Sequence, residues 1–147
     1  MRQDPRRLRV AAYPWSQVMA TRFADMDVNR HLNNVAITRF FEETRIRFNW
    51  DLFAGGSPLA PGMVRPRYLV AHVAVDFLGE GAYPEPVTMT YGVGAVGTSS
   101  VRCLMGMFQF GTCIALCDTV LVHRGDSGPA PLPPALRTRL EGCPLKG

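Results

Sequence analysis

Lysine is nearly missing from this chain: of 16 basic residues among 147, only Lys146 is not arginine. The arginines are scattered, with neither a basic stripe nor a nucleic-acid-binding module, so the formal net charge of +4 implies no more than attraction to small anions. No apolar run approaches the roughly 20 residues a bilayer span requires, because polar residues or glycine interrupt 68–77 and 113–122. A membrane span is therefore not expected. Arg2, Arg6, Arg7 and Arg9 precede only the short stretch Val10 to Trp15, broken by Pro14, which is too brief for a signal peptide, and a cytoplasmic protein is expected. Cys103, Cys113, Cys117 and Cys143 form no C-x-x-C pair, and the first three sit in strand-like runs, as buried free thiols do. Histidine is scarce, and His31, His72 and His123 are not at metal-ligand spacing, so neither a metal nor a bound cofactor is expected. No internal repeat is present.

The length fits one domain, and 47% hydrophobic residues give it the material for a core without metal or disulfide staples. Residues 1–14 are polar and Arg-rich, and are expected as a loosely held arm. Trp15 to Phe23 alternates as a strand, with Trp15, Gln17, Met19, Thr21 and Phe23 on one face. From Asn34 the period becomes helical: Ile37, Phe41, Thr44 and Phe48 share a face, and Arg39, Glu43 and Arg47 line the opposite one, with Glu43 and Arg47 in the favoured order for an ion pair. The helix should start after an Asn33 cap and end near Leu52, before a Gly/Pro-rich loop from Ala54 to Pro66.

The second half reads as strands. In 68–77, Leu69, Ala71, Val73, Val75 and Phe77 alternate with Tyr68, His72 and Asp76, which predicts that these two sets face opposite ways. Val87 to Val96, Val101 to Phe110 and Cys113 to His123 are three more strands joined by short turns. A proline-rich stretch from Asp126 to Pro134, unsuited to a ladder, leads to a short helix over Ala135 to Glu141. The expectation is an α+β fold, a long helix wrapped by one curved five-stranded antiparallel sheet over 15–125, with a tail over 126–147. Long edge strands make a homo-oligomer, dimer or tetramer, a natural expectation.

The segment Asp25-Met-Asp27-Val-Asn29-Arg-His31-Leu-Asn33-Asn34 carries the chemistry. It sets carboxylates, amides and an imidazole just before a helix, where free backbone N–H groups can polarise a carbonyl or receive an oxyanion. A carboxylate there can attack a carbonyl or deprotonate a water, with His and Asn orienting the reactants, which points to esters or thioesters. Simple capping and Asx-turn formation is an equally weighted alternative. An EF-hand calcium loop fails, because its sixth position is Arg30 and its twelfth is Ala36.

The run Asp25-x-Asp27-Val28-Asn29-x-His31-x-Asn33-Asn34-Val35, followed by Glu42-Glu43-x-Arg45, resembles hotdog-fold acyl thioesterases. It is most similar to plant acyl-ACP thioesterases and to acyl-CoA thioesterases of the 4-hydroxybenzoyl-CoA type. The resemblance implies that Asp27 is the catalytic carboxylate, general base or nucleophile, that Asn29 and His31 accompany it, and that the Asn34 N–H polarises the thioester carbonyl. It gives Asp25 a supporting role. Arg30 stands where many members have glycine, and Ile37 where they usually have a tyrosine that shapes the acyl pocket.

Other residues have plainer readings beside functional ones. Glu42 or Glu43 could reach across a dimer interface, although an ion pair with Arg39 or Arg47 fits the spacing better. His72 reads as a surface or interface residue. Arg65, Arg67, Arg102 and Arg124 could hold coenzyme A phosphates, or simply be solvated. The Met and Phe residues of 103–110 suit an acyl tunnel or a core equally. The implied function is hydrolysis of a fatty acyl or aryl thioester of coenzyme A, in fatty acid metabolism, with acyl carrier protein as a second candidate carrier. A hotdog hydratase is a rival, but its Asp-x-Asn-Pro-x-His order is not met by Asp27-x-Asn29-x-His31, and a non-catalytic acyl-CoA binding module would not need this polar set.

Overall fold

The computed structural model describes residues 4–54 and 66–147. Five strands, β1 (Trp15–Met19), β2 (Tyr68–Phe77), β3 (Val87–Val96), β4 (Ser100–Gln109) and β5 (Thr112–Gly125), form one antiparallel sheet ordered β1-β3-β4-β5-β2. The sheet curls around a long helix, α1 (Asn34–Ala54), in the hotdog arrangement, and a second helix, α2 (Pro134–Glu141), closes the chain. Ile37, Phe41, Thr44 and Phe48 are all buried, as their spacing predicts. They meet Met89 and Tyr91 of β3, Cys103, Met105 and Met107 of β4 and Cys117 of β5 in one core. Phe48 stacks on Tyr91 with ring centroids 3.8 Å apart. Thr44 avoids an unpaired hydroxyl by donating to the Phe40 carbonyl at 2.7 Å. The methionines of β4 are thus core residues, lining neither of the cavities described below.

Several expectations need correction. The β1 strand stops at Met19; Phe23 is 74% exposed and belongs to a 3-10 turn, because the chain must bend there to enter the helix. In β2 the register with β5 shifts by one residue between Val70 and His72. This bulge reverses the alternation, so Tyr68, Val70, Val73 and Val75 share the face toward the helix, while Leu69 falls on the other. The proline-rich stretch does join the ladder. It forms a two-residue strand, β6 (Gly128–Pro129), paired with the end of β5, and the Ala130 N–H, rather than the proline, donates to the His123 carbonyl. The tail is also part of the body: Leu132, Leu136 and Leu140 enter the core, and the Val93 N–H donates to the Cys143 carbonyl at 2.7 Å.

The amino-terminal arm is not loose where it is described. Two 3-10 turns, Pro5–Leu8 and Val10–Ala12, lie on the outer face of the sheet, where Tyr13 packs against Phe108 and Leu145. The Arg7 guanidinium is buried there; it donates to the Asp118 carboxylate and to the Met105 and Cys117 carbonyls. Arg102 pairs with the same carboxylate. Arg2, Arg65 and the loop 55–65 lie outside the described residues.

Removing one partner of a buried ion pair strands the other. Arg7→Met should lower unfolding free energy by about 3 kcal/mol, read as a fall in the urea midpoint at unchanged slope. Arg6→Met, which removes only the half-exposed pair with Asp4, is the control whose urea midpoint should stay close to wild type.

Candidate functional site

Asp25 and Asn33 build the frame of the polar segment. Asp25 is buried, and its Oδ2 accepts the Arg22 N–H at 2.8 Å, which closes the 3-10 turn Phe23–Asp25. A bridge between Met26 and Leu32 then pinches 26–32 into a closed loop. Within it Asp27 Oδ1 accepts the Asn29 N–H at 2.9 Å and faces the His31 N–H at 3.4 Å, as an aspartate does in an Asx turn. Arg30 has φ 63°, a left-handed conformation that suits glycine and is here occupied by a bulky side chain.

The loop is anchored from behind. Leu32 N–H donates to the Gly81 carbonyl at 2.9 Å, and a Cβ on Gly81 would fall 2.6 Å from Leu32 Cδ1. Glycine at 81 is what allows the β2–β3 connection to come this close. Asn33 caps α1 with Oδ1 accepting the Ala36 N–H at 2.7 Å. The N–H groups of Asn34 and Val35 keep no acceptor within the helix and face outward at its positive end.

Asp27, Asn29 and His31 are thus gathered on one loop immediately before the Asn34 N–H. Asp27 is exposed, and its Oδ2 makes no hydrogen bond among the described residues. His31 Nε2 lies 3.0 Å from Glu80 Oε2, a contact that orients the ring. Glu80 left no signal in the sequence, since it comes from the β2–β3 connection and only Gly81 beside it marks the close approach. The plainer readings hold for other residues: Glu43 pairs with Arg47 at 3.0 Å, Ile37 is core, and His72 is exposed. Arg67 pairs with Asp126 at 3.0 Å, and Arg124, also exposed, lies beside it at the opposite end of β2 from the loop.

Among the described residues, two cavities flank α1. The larger, about 410 Å³, lies between the helix and β1 and includes Asp25 and Arg39. The smaller, about 210 Å³, lies between the helix and β2 and is lined by Thr38, Phe41, Glu42 and Arg45 opposite Val70, Val73 and Cys117. Asp27 lines neither. The helical wall of the smaller one begins one turn below Asn34, where Thr38 Oγ1 donates to the Asn34 carbonyl at 2.9 Å. The thiol that lines it, Cys117, is held in its neutral form, since burial pushes it up. No three His, Cys, Asp or Glu side chains converge as a metal site among the described residues.

The thioesterase-like superfamily matches residues 21–140, which span the loop, the helix and the whole sheet beyond β1. The chain belongs to the thioesterase-like superfamily. Solved structures agree. A predicted thioesterase from Bacillus stearothermophilus is 25% identical with a TM-score of 0.78, over 90% of this chain and 98% of that one. A thioesterase from Thermus thermophilus, complexed with coenzyme A and zinc, is 29% identical with a TM-score of 0.76, over 89% of this chain and 94% of that one. The PA5185 protein of Pseudomonas aeruginosa is 26% identical with a TM-score of 0.75, over 92% and 95% of the two chains. Among curated proteins none matches. For this thioesterase-like chain, thioester hydrolysis is the class of reaction that family and fold support.

Loss of the cap isolates its structural share. Asn33→Ala should cost about 1 kcal/mol, visible as a lowered melting temperature, while Asn33→Asp should retain most of the stability.

Proposed function

We propose that this thioesterase hydrolyses acyl-CoA to a free acid and coenzyme A, with Asp27 as the catalytic carboxylate. The observation that supports the reading is the uncommitted Asp27 Oδ2 on the closed loop 26–32, which runs directly into the N-terminus of α1. The substrate carbonyl oxygen accepts the Asn34 N–H, so charge developing on it is held at the helix terminus. Asp27 takes a proton from a water, whose oxygen attacks the carbonyl carbon. The C–S bond then breaks, and the coenzyme A thiolate takes up that proton. Asn29 and the Glu80-oriented His31 position the water. Direct attack by Asp27, through an acyl anhydride hydrolysed in a second step, uses the same carboxylate. Coenzyme A is favoured over acyl carrier protein as the carrier because a similar thioesterase is known in complex with coenzyme A.

The exposure of Asp27 supports completion of the site by a second copy. Strand β2 is an edge strand with Leu69, Val70, Val73 and Phe77 each 40–50% exposed, an apolar stretch that a partner edge would cover. Its ten residues span about 33 Å. Two-fold antiparallel pairing along β2 brings the Arg67 and Arg124 end of one copy toward the Asp27 loop of the other, where the guanidinium groups suit coenzyme A phosphates. Four free cysteines suit a reducing compartment, consistent with the cytoplasm.

Thiol release from a panel of acetyl-, medium-chain, long-chain and aromatic acyl-CoAs tests the chemistry. Asp27→Ala should lose roughly 10²–10⁴-fold in kcat with an unchanged circular dichroism spectrum. Equal turnover in wild type and variant would move the catalytic role elsewhere. Sedimentation should give at least twice the 16.2 kDa chain mass.

A further inference from the structure

The larger cavity, between α1 and β1, takes no part in the proposed chemistry, since Asp27 does not line it. Its volume of about 410 Å³ lies in the range of small-molecule sites, roughly 300–1,000 Å³. The lining divides by exposure. Met19 at the end of β1 and Ala36 on α1 are buried and Phe40 is half-buried, so the floor is apolar apart from the buried Asp25. The rim is charged, with Arg22, Arg39 and Glu43 exposed and Arg47 half-buried.

Three guanidinium groups share this lining with two carboxylates, and both carboxylates are taken. Glu43 has an arginine four residues away on either side and pairs with Arg47, at 3.0 Å. Asp25 accepts the Arg22 N–H and lies 3.6 Å from the Arg22 guanidinium. Arg39 is left with neither an ion pair nor a hydrogen bond among the described residues. We propose that this cavity binds a free carboxylic acid with an aliphatic body, its carboxylate on Arg39 and its body over Met19, Ala36 and Phe40. The guanidinium fork matches the two oxygens of a carboxylate. A monoanion is selected over a phosphate because one cation is unmatched, and a second negative charge would meet Glu43 and Asp25.

The cavity adjoins the polar loop through Asp25. That residue closes the 3-10 turn with its side chain, and its carbonyl accepts the Asn33 N–H at 2.9 Å, so one residue both lines the cavity and holds the cap of α1. A free acid is also what hydrolysis of an acyl thioester releases. The inference is a second, non-catalytic site for an acid of that class, and it stands on the cavity and its charges whether or not acyl-CoA is the substrate.

The test titrates octanoate and octylamine, equal in chain and opposite in charge, into the full-length protein, with NMR of the Met19 and Ala36 methyl groups reporting where they bind. Octanoate should shift both methyls saturably and octylamine should not. Hexanoate should bind more weakly than octanoate, because it covers less of the floor. Arg39→Met should weaken octanoate binding about fivefold or more, the size of a charged contact at a solvent-facing rim, and Arg39→Lys should restore part of it, with the melting temperature of each variant reporting its fold. Unmoved Met19 and Ala36 methyls, octylamine binding as tight as octanoate, or Arg39→Met binding within twofold of wild type overturns the inference. Initial rates of octanoyl-CoA hydrolysis should be equal in wild type and Arg39→Met. A rate that falls in parallel with octanoate binding would place Arg39 in the catalytic site and overturn the inference, while leaving the thioesterase reading intact.

Discussion

The seating of one helix in the curve of the sheet is the constraint on which the site depends. Phe41 and Phe48 bury fully against the sheet, Phe48 stacked on Tyr91, and each such side chain contributes roughly 1.5–3 kcal/mol from apolar burial. With the buried stripe locked, every other stripe of α1 has a fixed azimuth. Asn34, Thr38, Phe41 and Arg45 then descend along the β2 flank, while Arg39, Phe40 and Glu43 face β1. The direction of the helix also places its positive end at the polar loop instead of at the opposite end of the sheet.

Structural and chemical duties are divided among neighbouring residues of that loop. Asp25 and Asn33 are committed to backbone donors, and Gly81 admits the connection that anchors the loop from behind. Asp27 spends one oxygen on loop closure and keeps the other. A left-handed Arg30 costs of the order of 1 kcal/mol, which the bridge and the main-chain bonds on both sides of it hold in place.

Much of this was readable from residue order, for reasons that are local. The apolar spacing of α1, its Asn33 cap and the Glu43–Arg47 pair follow from helix geometry alone, and the density of Asx residues before the cap marks the loop. What was not readable came from contacts between distant segments. The β2 bulge inverts a clean alternation at Val70 and His72, a change set by the partner strand. Arg7 reads as a solvated charge until Asp118, brought alongside by folding, gives it a reason to be buried. Glu80 reaches His31 across a separation of the same kind, and no periodicity encodes it. Phe110, which alternation assigns to β4, instead sits at φ 52° in the hairpin turn, where a chain reversal overrides the pattern.

The pairing of β2 with β5 has a consequence for how the protein is made. β2 leaves the ribosome before β3, β4 and β5, yet its neighbour within the chain is the last of these. Until β5 is synthesised, its valines and Phe77 have nothing to pair with, and the Arg7 segment likewise waits for Asp118. The nascent chain therefore carries an unpaired apolar strand throughout the synthesis of β3, β4 and β5, a period in which such segments are prone to aggregate. The sheet closes late, and β5 joins both halves when it arrives.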